Sequence, residues 1–341
     1  MIRTETALIV GAGAGCELQL PNGPELLNRV GQAFDFSRLG TELQSRETAM
    51  VAGFLGQIWE RMGESRESFQ AVAQRIHTAS GFSRTLEGLM EQHDHDKMVV
   101  ASIKVAITYF ICQAESRSIL RQSPRVAGDL PIQGGDSWIY QLAQIVTAGV
   151  PRSRVDGCLD RLTVITFNYD RSLEHFLPFA LEMAFGMPIE EARALVAERL
   201  RLLRPAGTIG RLPWQAGSTA ALDWGVEVPE NIEKHARQIR TNADWQADGE
   251  LLGAARTALD EARRVCFLGF GFQPDNLALL GDAPLSHEAE VIATCWGMPA
   301  AVRDAAVREI VRRTGASGER LMVHDTRCFE LLRDLALTFE S

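Results

Sequence analysis

The chain has 341 residues, 46% of them hydrophobic and 23% charged, an ordinary globular composition with room for one large domain or two smaller ones. Its formal net charge of -9 makes it a poor electrostatic partner for nucleic acid or anionic lipid, so direct nucleic-acid binding and membrane association are not expected. The cysteines Cys16, Cys112, Cys158, Cys266, Cys295 and Cys328 are scattered without a C-x-x-C pair, which argues against a zinc cage or a dense disulfide framework and for reduced thiols.

The first residues contain no basic stretch followed by an apolar segment, so a cytoplasmic protein is expected. The stretch "TALIVGAGAG" (6–15) is an apolar run ending in glycines, the pattern of a buried strand entering a tight loop. In "NGPELLNRVGQAF" (22–34), Asn22 and Gly23 make a turn, and Pro24 suits a first helical turn. Leu26, Leu27 and Val30 give that helix an apolar face. From about 37 to 147 every segment has helical period, which predicts a helical insertion, bounded at 37–159, within one domain whose core is 1–36 plus 160–341. Its longest apolar run, 98–112, is broken by Lys104 and too short to span a bilayer, so it reads as a buried helix.

Strand signals return in "LTVITFNYD" (162–170), and two helical stretches follow, the second being "IEEARALVAERLRLL" (189–203). Three strand–loop–helix units then occupy 263–280, 288–313 and 320–337. Continuous apolar strands alternating with helices predict an α/β fold, a Rossmann-like doubly wound parallel sheet carrying the insertion.

In such a sheet, ligands sit at the carboxyl ends of the strands. Gly11, Ala12 and Gly13 follow the first strand and, with Gly15, make a glycine loop at a helix start, a setting for an anion. Cys16 stands where the third glycine of G-x-G-x-x-G belongs, and a ligand-free turn fits the same residues. Thr166, Asn168 and Asp170 end the next strand. Asn168 offers a donor and an acceptor and Asp170 an acceptor, suited to ribose hydroxyls or a held water. A helix cap before "RSLEHFL" is the alternative use of the same side chains. Gly269, Phe270, Gly271 and Asn276 follow a third strand, and Thr294 ends a fourth. All four loops are expected to converge on one crevice.

Other candidates are weaker. "HDHD" (93–96) has metal-ligand residue types but no further partners, His175 suits packing, Ser153 and Ser172 belong to no Ser/His/Asp arrangement, and Glu190 with Glu191 reads as a charged helix face.

Taken together, "GAGAGCELQLPNGPELL", "VITFNYDRSLEHFL", "GTIGRLPW", "RRVCFLGFGFQPDNLALL" and "RCFELL" resemble the sirtuin-like NAD-binding domain, in its bacterial antiphage-defence branch. The resemblance covers both ends of the chain and is thin over 37–147. It implies NAD bound with Gly11–Gly13 at the phosphates, Asn168 catalytic with Asp170 beside it, and hydrolysis of the nicotinamide–ribose bond. It further implies an abortive-infection NADase activated by a partner such as a HerA-type ATPase or a short Argonaute protein, and the insertion's surplus of apolar helix faces predicts a homo-oligomer with contacts in 37–147. The four-cysteine zinc module of deacylating sirtuins has no counterpart in the spacing, so no metal is expected and a protein deacylase is disfavoured. The family's second catalytic residue is a His before a glycine. Here Ala206 precedes Gly207, which leaves open a non-catalytic NAD or ADP-ribose sensor, a weakened enzyme, or a deliberate His→Ala change.

Overall fold

A computed structural model describes residues 1–340 except 43, 64, 123–129, 216, 218–220, 282–283 and 286–287. Among the described residues six strands form one sheet: β1 (Thr6–Val10), β2 (Leu162–Thr166), β3 (Arg201–Leu203), β4 (Arg264–Leu268), β5 (Glu290–Thr294) and β6 (Leu321–His324). Their order is β3-β2-β1-β4-β5-β6 and every pairing is parallel, the Rossmann-like doubly wound arrangement. β1 is central, with Thr6 opposite Leu162 on one side and Arg264 on the other.

The apolar runs of β1, β2 and β4 are buried along their whole length, because helices cover both faces. Leu8, Val10, Val164, Cys266 and Leu268 share one core with the helices Trp138–Thr147, Ser172–Phe185 and Cys328–Asp334. Ala7, Ile9, Ile165, Val265 and Phe267 point the other way, into a core shared with the helices Gly249–Glu261 and Ala300–Thr314. The alternation is the period-two side-chain geometry of strands read on both faces.

The residues between β1 and β2 supply a third core. It gathers the helices Gly23–Ala33, Arg46–Met62, Arg66–Ser80, Leu86–Glu91 and Lys97–Arg117. Helix Lys97–Arg117 has the length and hydropathy of a bilayer-crossing segment, but 78% of its apolar window is buried inside the fold. The packing divides the helices differently from the expected boundaries at 37 and 159. Helix Gly23–Ala33 turns Leu26, Leu27 and Val30 into this helical lobe, whereas Trp138–Thr147 turns Ile139, Leu142 and Val146 onto the sheet. Within "IEEARALVAERLRLL", helix stops at Arg199 and residues 201–203 become the edge strand β3, three residues too few to carry a strand period in sequence.

A buried ion pair joins lobe to sheet. Arg171, just past β2, and Glu115, near the end of helix Lys97–Arg117, are each about 1% exposed. Arg171 Nε donates to Glu115 Oε1 at 3.1 Å, its Nη2 donates to Oε2, and its backbone N–H donates to Oε1 at 3.0 Å. The guanidinium also donates to the carbonyls of Leu222 and Asp223. Removing one partner strands the other charge away from water, so Arg171→Met is expected to cost about 3–5 kcal/mol. Urea unfolding followed by circular dichroism measures it, and the double variant Arg171→Met/Glu115→Leu is expected to recover most of the loss.

Candidate functional site

The order 3-2-1-4-5-6 reverses direction between β1 and β4, which opens a crevice beyond their carboxyl ends. There the loops touch through backbone. Gly11 N–H donates to Leu268 O at 3.0 Å, and Gly13 N–H to Gly269 O at 2.9 Å. Gly269 N–H in turn donates to Thr294 Oγ1 at 2.9 Å, so three adjacent strand tips are laced together. Gly269 has φ +56°, and a Cβ there would lie 2.0 Å from Ala14 N, so only glycine fits. A Cβ on Gly13 would lie 2.8 Å from Gly269 O. The N–H groups of Gly11 and Gly13, offered by the motif to a phosphate, are thus spent on neighbouring carbonyls. That of Ala12 has no acceptor among the described residues.

A cavity of about 660 Å³ fills the crevice, within the range of ligand pockets. Its wall brings together Gly11, Ala12, Gly13, Asn168, Asp170, Gly269, Phe270, Gly271, Asn276 and Thr294, gathered from four loops. Three expected residues lie off that wall. Thr166 is buried at the end of β2 and accepts from Asn168 N–H at 3.2 Å, shaping the turn. Ala206 is 4% exposed and packs in the helical-lobe core with Tyr169, its carbonyl accepting from Arg240 N–H at 2.9 Å. Gly207 has φ +75°, and a Cβ there would meet Gln238 O at 2.1 Å. The loop that carries them grips the Asn168–Asp170 turn from behind. Thr208 Oγ1 and Ile209 N–H both donate to Tyr169 O, at 2.9 and 3.3 Å.

Asn168, like Thr326, brings a buried and unpartnered side-chain oxygen to the wall. Its carbonyl accepts from Arg204 Nη1 at 2.9 Å, and Arg204 is itself held by Glu174 at 2.6 Å. Its side-chain Oδ1 is buried with no hydrogen-bond partner among the described residues. A buried amide oxygen left unpaired costs about 1–3 kcal/mol, so this one is poised for a donor from elsewhere. Asp170 Oδ1 accepts from the N–H and hydroxyl of Ser172, so its carboxylate also anchors the first turn of helix Ser172–Phe185, the capping use open in the sequence.

Several wall residues escape the sequence reading. Glu17 accepts from the N–H groups of Trp138 at 2.8 Å and Phe329 at 3.0 Å, fastening two helix starts, and burial pushes its carboxyl pKa up. Arg84 and Arg327 bring the cavity two guanidinium groups with no carboxylate within ion-pair distance among the described residues. Arg327 lies over the Trp296 ring at 4.7 Å. Tyr169 OH donates to Glu87 Oε1 at 2.7 Å, and burial holds that phenol well above its ordinary range. Arg327 follows β6 in "RCFELL" and was findable as the end of a parallel strand. Arg84 and Glu87 come from the lobe and carry no local signal. Of the thiols on the wall, that of Cys328 is buried and pushed up to about 12, which makes it unreactive by environment, and that of the exposed Cys16 is also raised.

The other sequence candidates have structural roles. Asp96 Oδ1 accepts from Met98 and Val99 N–H at the start of helix Lys97–Arg117, and His93 Nδ1 sits 3.0 Å from Leu89 O. No cluster of three or more metal-ligating side chains occurs among the described residues. No protein-family model and no curated protein matches the chain.

His175 is 4% exposed, stacked on Trp224 at 4.2 Å, with Nε2 3.0 Å from Leu120 O. Burial lowers its pKa to about 3 from 6.5, so it is neutral in the fold. The unfolded chain takes up this proton first. The contribution is therefore complete above pH 6.5 and is lost as pH falls from 6.5 toward 3, by up to ~1.4 kcal/mol per pH unit. Urea midpoints across that window are expected to fall less steeply in His175→Phe than in the wild type.

Proposed function

We propose that the chain binds NAD across the tips of β1, β2, β4 and β5 and hydrolyses it to nicotinamide and ADP-ribose, acting as a cytoplasmic effector of bacterial antiphage defence. The observation that carries the reading is the unpartnered, buried Oδ1 of Asn168 beside a cavity at the reversal point of a Rossmann-like sheet. The residues present suit the ligand. Asn168 receives a ribose hydroxyl or a water. Arg84 and Arg327 answer the two pyrophosphate charges, with the Ala12 N–H as a further donor. Gly271 leaves its side of the wall open, since a Cβ there would meet only the Gln273 side chain.

The chemistry asks little of an acid. Nicotinamide leaves as a neutral ring from a cationic one, through an oxocarbenium-like transition state. The site has to fix the ribose and water and bear positive charge on the sugar. Stimulation of this basal activity by a HerA-type ATPase or a short Argonaute protein belongs to the same proposal on the sequence resemblance alone, and self-assembly through the helical lobe belongs to it on the apolar faces of the insertion.

One observation favours a second reading, a sensor that holds NAD or ADP-ribose without cleaving it: the position of the family's His is a buried alanine off the cavity wall. Calorimetry with millimolar NAD is expected to give saturable binding, weakened in Asn168→Ala. Nicotinamide release, followed by chromatography, is expected from the wild type and to fall by ~10²-fold or more in Asn168→Ala. Binding with no release from either the wild type or a folded Ala206→His variant overturns the hydrolase and leaves the sensor.

A further inference from the structure

Among the described residues three carboxylates line the cavity, those of Glu17, Glu87 and Asp170. They are engaged to different degrees. Glu17 has both oxygens on helix N–H groups, one on Trp138 and one on Phe329. Asp170 is buried and uses Oδ1 to hold both the N–H and the hydroxyl of Ser172. Glu87 is half-buried, accepts a single hydrogen bond, from Tyr169 OH to Oε1, and keeps Oε2 without a partner among the described residues. A group that takes a proton and returns it to solvent in each turnover needs that combination of one anchored oxygen, one open oxygen and partial exposure.

The anchoring also sets where Glu87 stands. Tyr169 is the neighbour of Asn168, and its backbone carbonyl is gripped by Thr208 and Ile209. Glu87 itself rides on the helix Leu86–Glu91, whose start is capped by Thr85 Oγ1 accepting from Gly88 N–H at 2.9 Å and whose Leu86 and Leu89 are buried. The helical lobe therefore brings a carboxylate to the cavity wall, hydrogen-bonded to the side chain of the residue next to Asn168, while Ala206 lies off that wall.

We propose that Glu87 is the catalytic general base of this site, doing from the helical lobe what the sequence resemblance assigns to a His at position 206; this rests on the hydrolase reading. The C1′–N bond to nicotinamide breaks, and its electron pair neutralises the ring nitrogen. Water oxygen bonds to C1′. The water's proton passes to Glu87 Oε2 and then to solvent, so NAD and water give nicotinamide, ADP-ribose and a proton. Before the proton moves, the carboxylate charge faces the cationic ring and the growing charge on the sugar.

The test compares wild type, Glu87→Gln, Asp170→Asn, Ala206→His and Ala206→His/Glu87→Gln, each checked for folding by thermal melt, at millimolar NAD. Calorimetry with NAD and with NADH, whose nicotinamide ring is uncharged, supplies a second readout independent of turnover. The expected result is release from the wild type that drops by ~10²–10⁴ in Glu87→Gln. NAD should still bind to that variant, with its preference over NADH reduced. Glu87→Gln that keeps wild-type release, or keeps the full preference for NAD over NADH, overturns Glu87 and leaves the hydrolase standing. So does loss confined to Asp170→Asn. Release from Ala206→His, undiminished by Glu87→Gln, with none from the wild type, also overturns it. No release from any chain overturns the hydrolase reading and Glu87 with it.

Discussion

Backbone contact between the loops after β1 and β4 is the constraint on which the site depends. The two strands are neighbours in the sheet, and their chains part at the tips to cover opposite faces. Gly13 and Gly269 let the departing loops stay in hydrogen-bonded contact for one residue longer, and Thr294 extends the lacing to β5. Side chains at either glycine would push the tips apart by backbone collision, not by a contact that a flexible neighbour could relieve. The crevice begins where this lacing ends. Its floor is therefore rigid peptide, and its chemistry has to come from side chains at the rim.

Those side chains are steadied by charges that are themselves paired. Arg204, locked to Glu174, holds the carbonyl of Asn168, while Arg171, locked to Glu115, holds the start of the next helix against the lobe. Glu17 does the corresponding work on the other side, pinning the helices Trp138–Thr147 and Cys328–Asp334 from the loop after β1. Each tie satisfies polar groups that burial would otherwise penalise. Among the described residues, Asn168 Oδ1 and Thr326 Oγ1 are the buried wall atoms that these ties leave without a partner.

The sheet was legible because its strands are buried on both faces, and burial writes itself as unbroken apolar runs such as "LTVIT" and "RVCFL". The strand-tip part of the cavity wall was legible for a related reason: in a parallel sheet every loop after a strand opens on the same edge, so Asn168, Gly269 and Thr294 had to be neighbours. β3 was hidden because three residues at a sheet edge show no period. Arg84 and Glu87 were hidden because their place is decided by how the lobe docks, a matter of shape complementarity among helices whose amphipathic patterns are alike. The resemblance puts Ala206 at the active site through the Gly207 beside it, but Gly207 answers to the backbone of Gln238 and Ala206 is buried off the wall. Asp170 illustrates a true ambiguity, since the same carboxylate lines the cavity and anchors a helix.

The placement of β1 also governs how this protein comes into being. Of the six strands described, β1 is synthesised before the others and lies in the middle of the sheet, and its partners lie at residues 162–166 and 264–268. Until those segments have been synthesised, Thr6–Val10 is an apolar strand with both edges unpaired. The helical lobe, built mainly from contiguous helices, closes on local contacts in the meantime, whereas the sheet centre waits for loop closures of high entropy cost. Folding is thus ordered from the periphery inward, and nascent chains interrupted before β4 expose the segment most prone to pair with another copy.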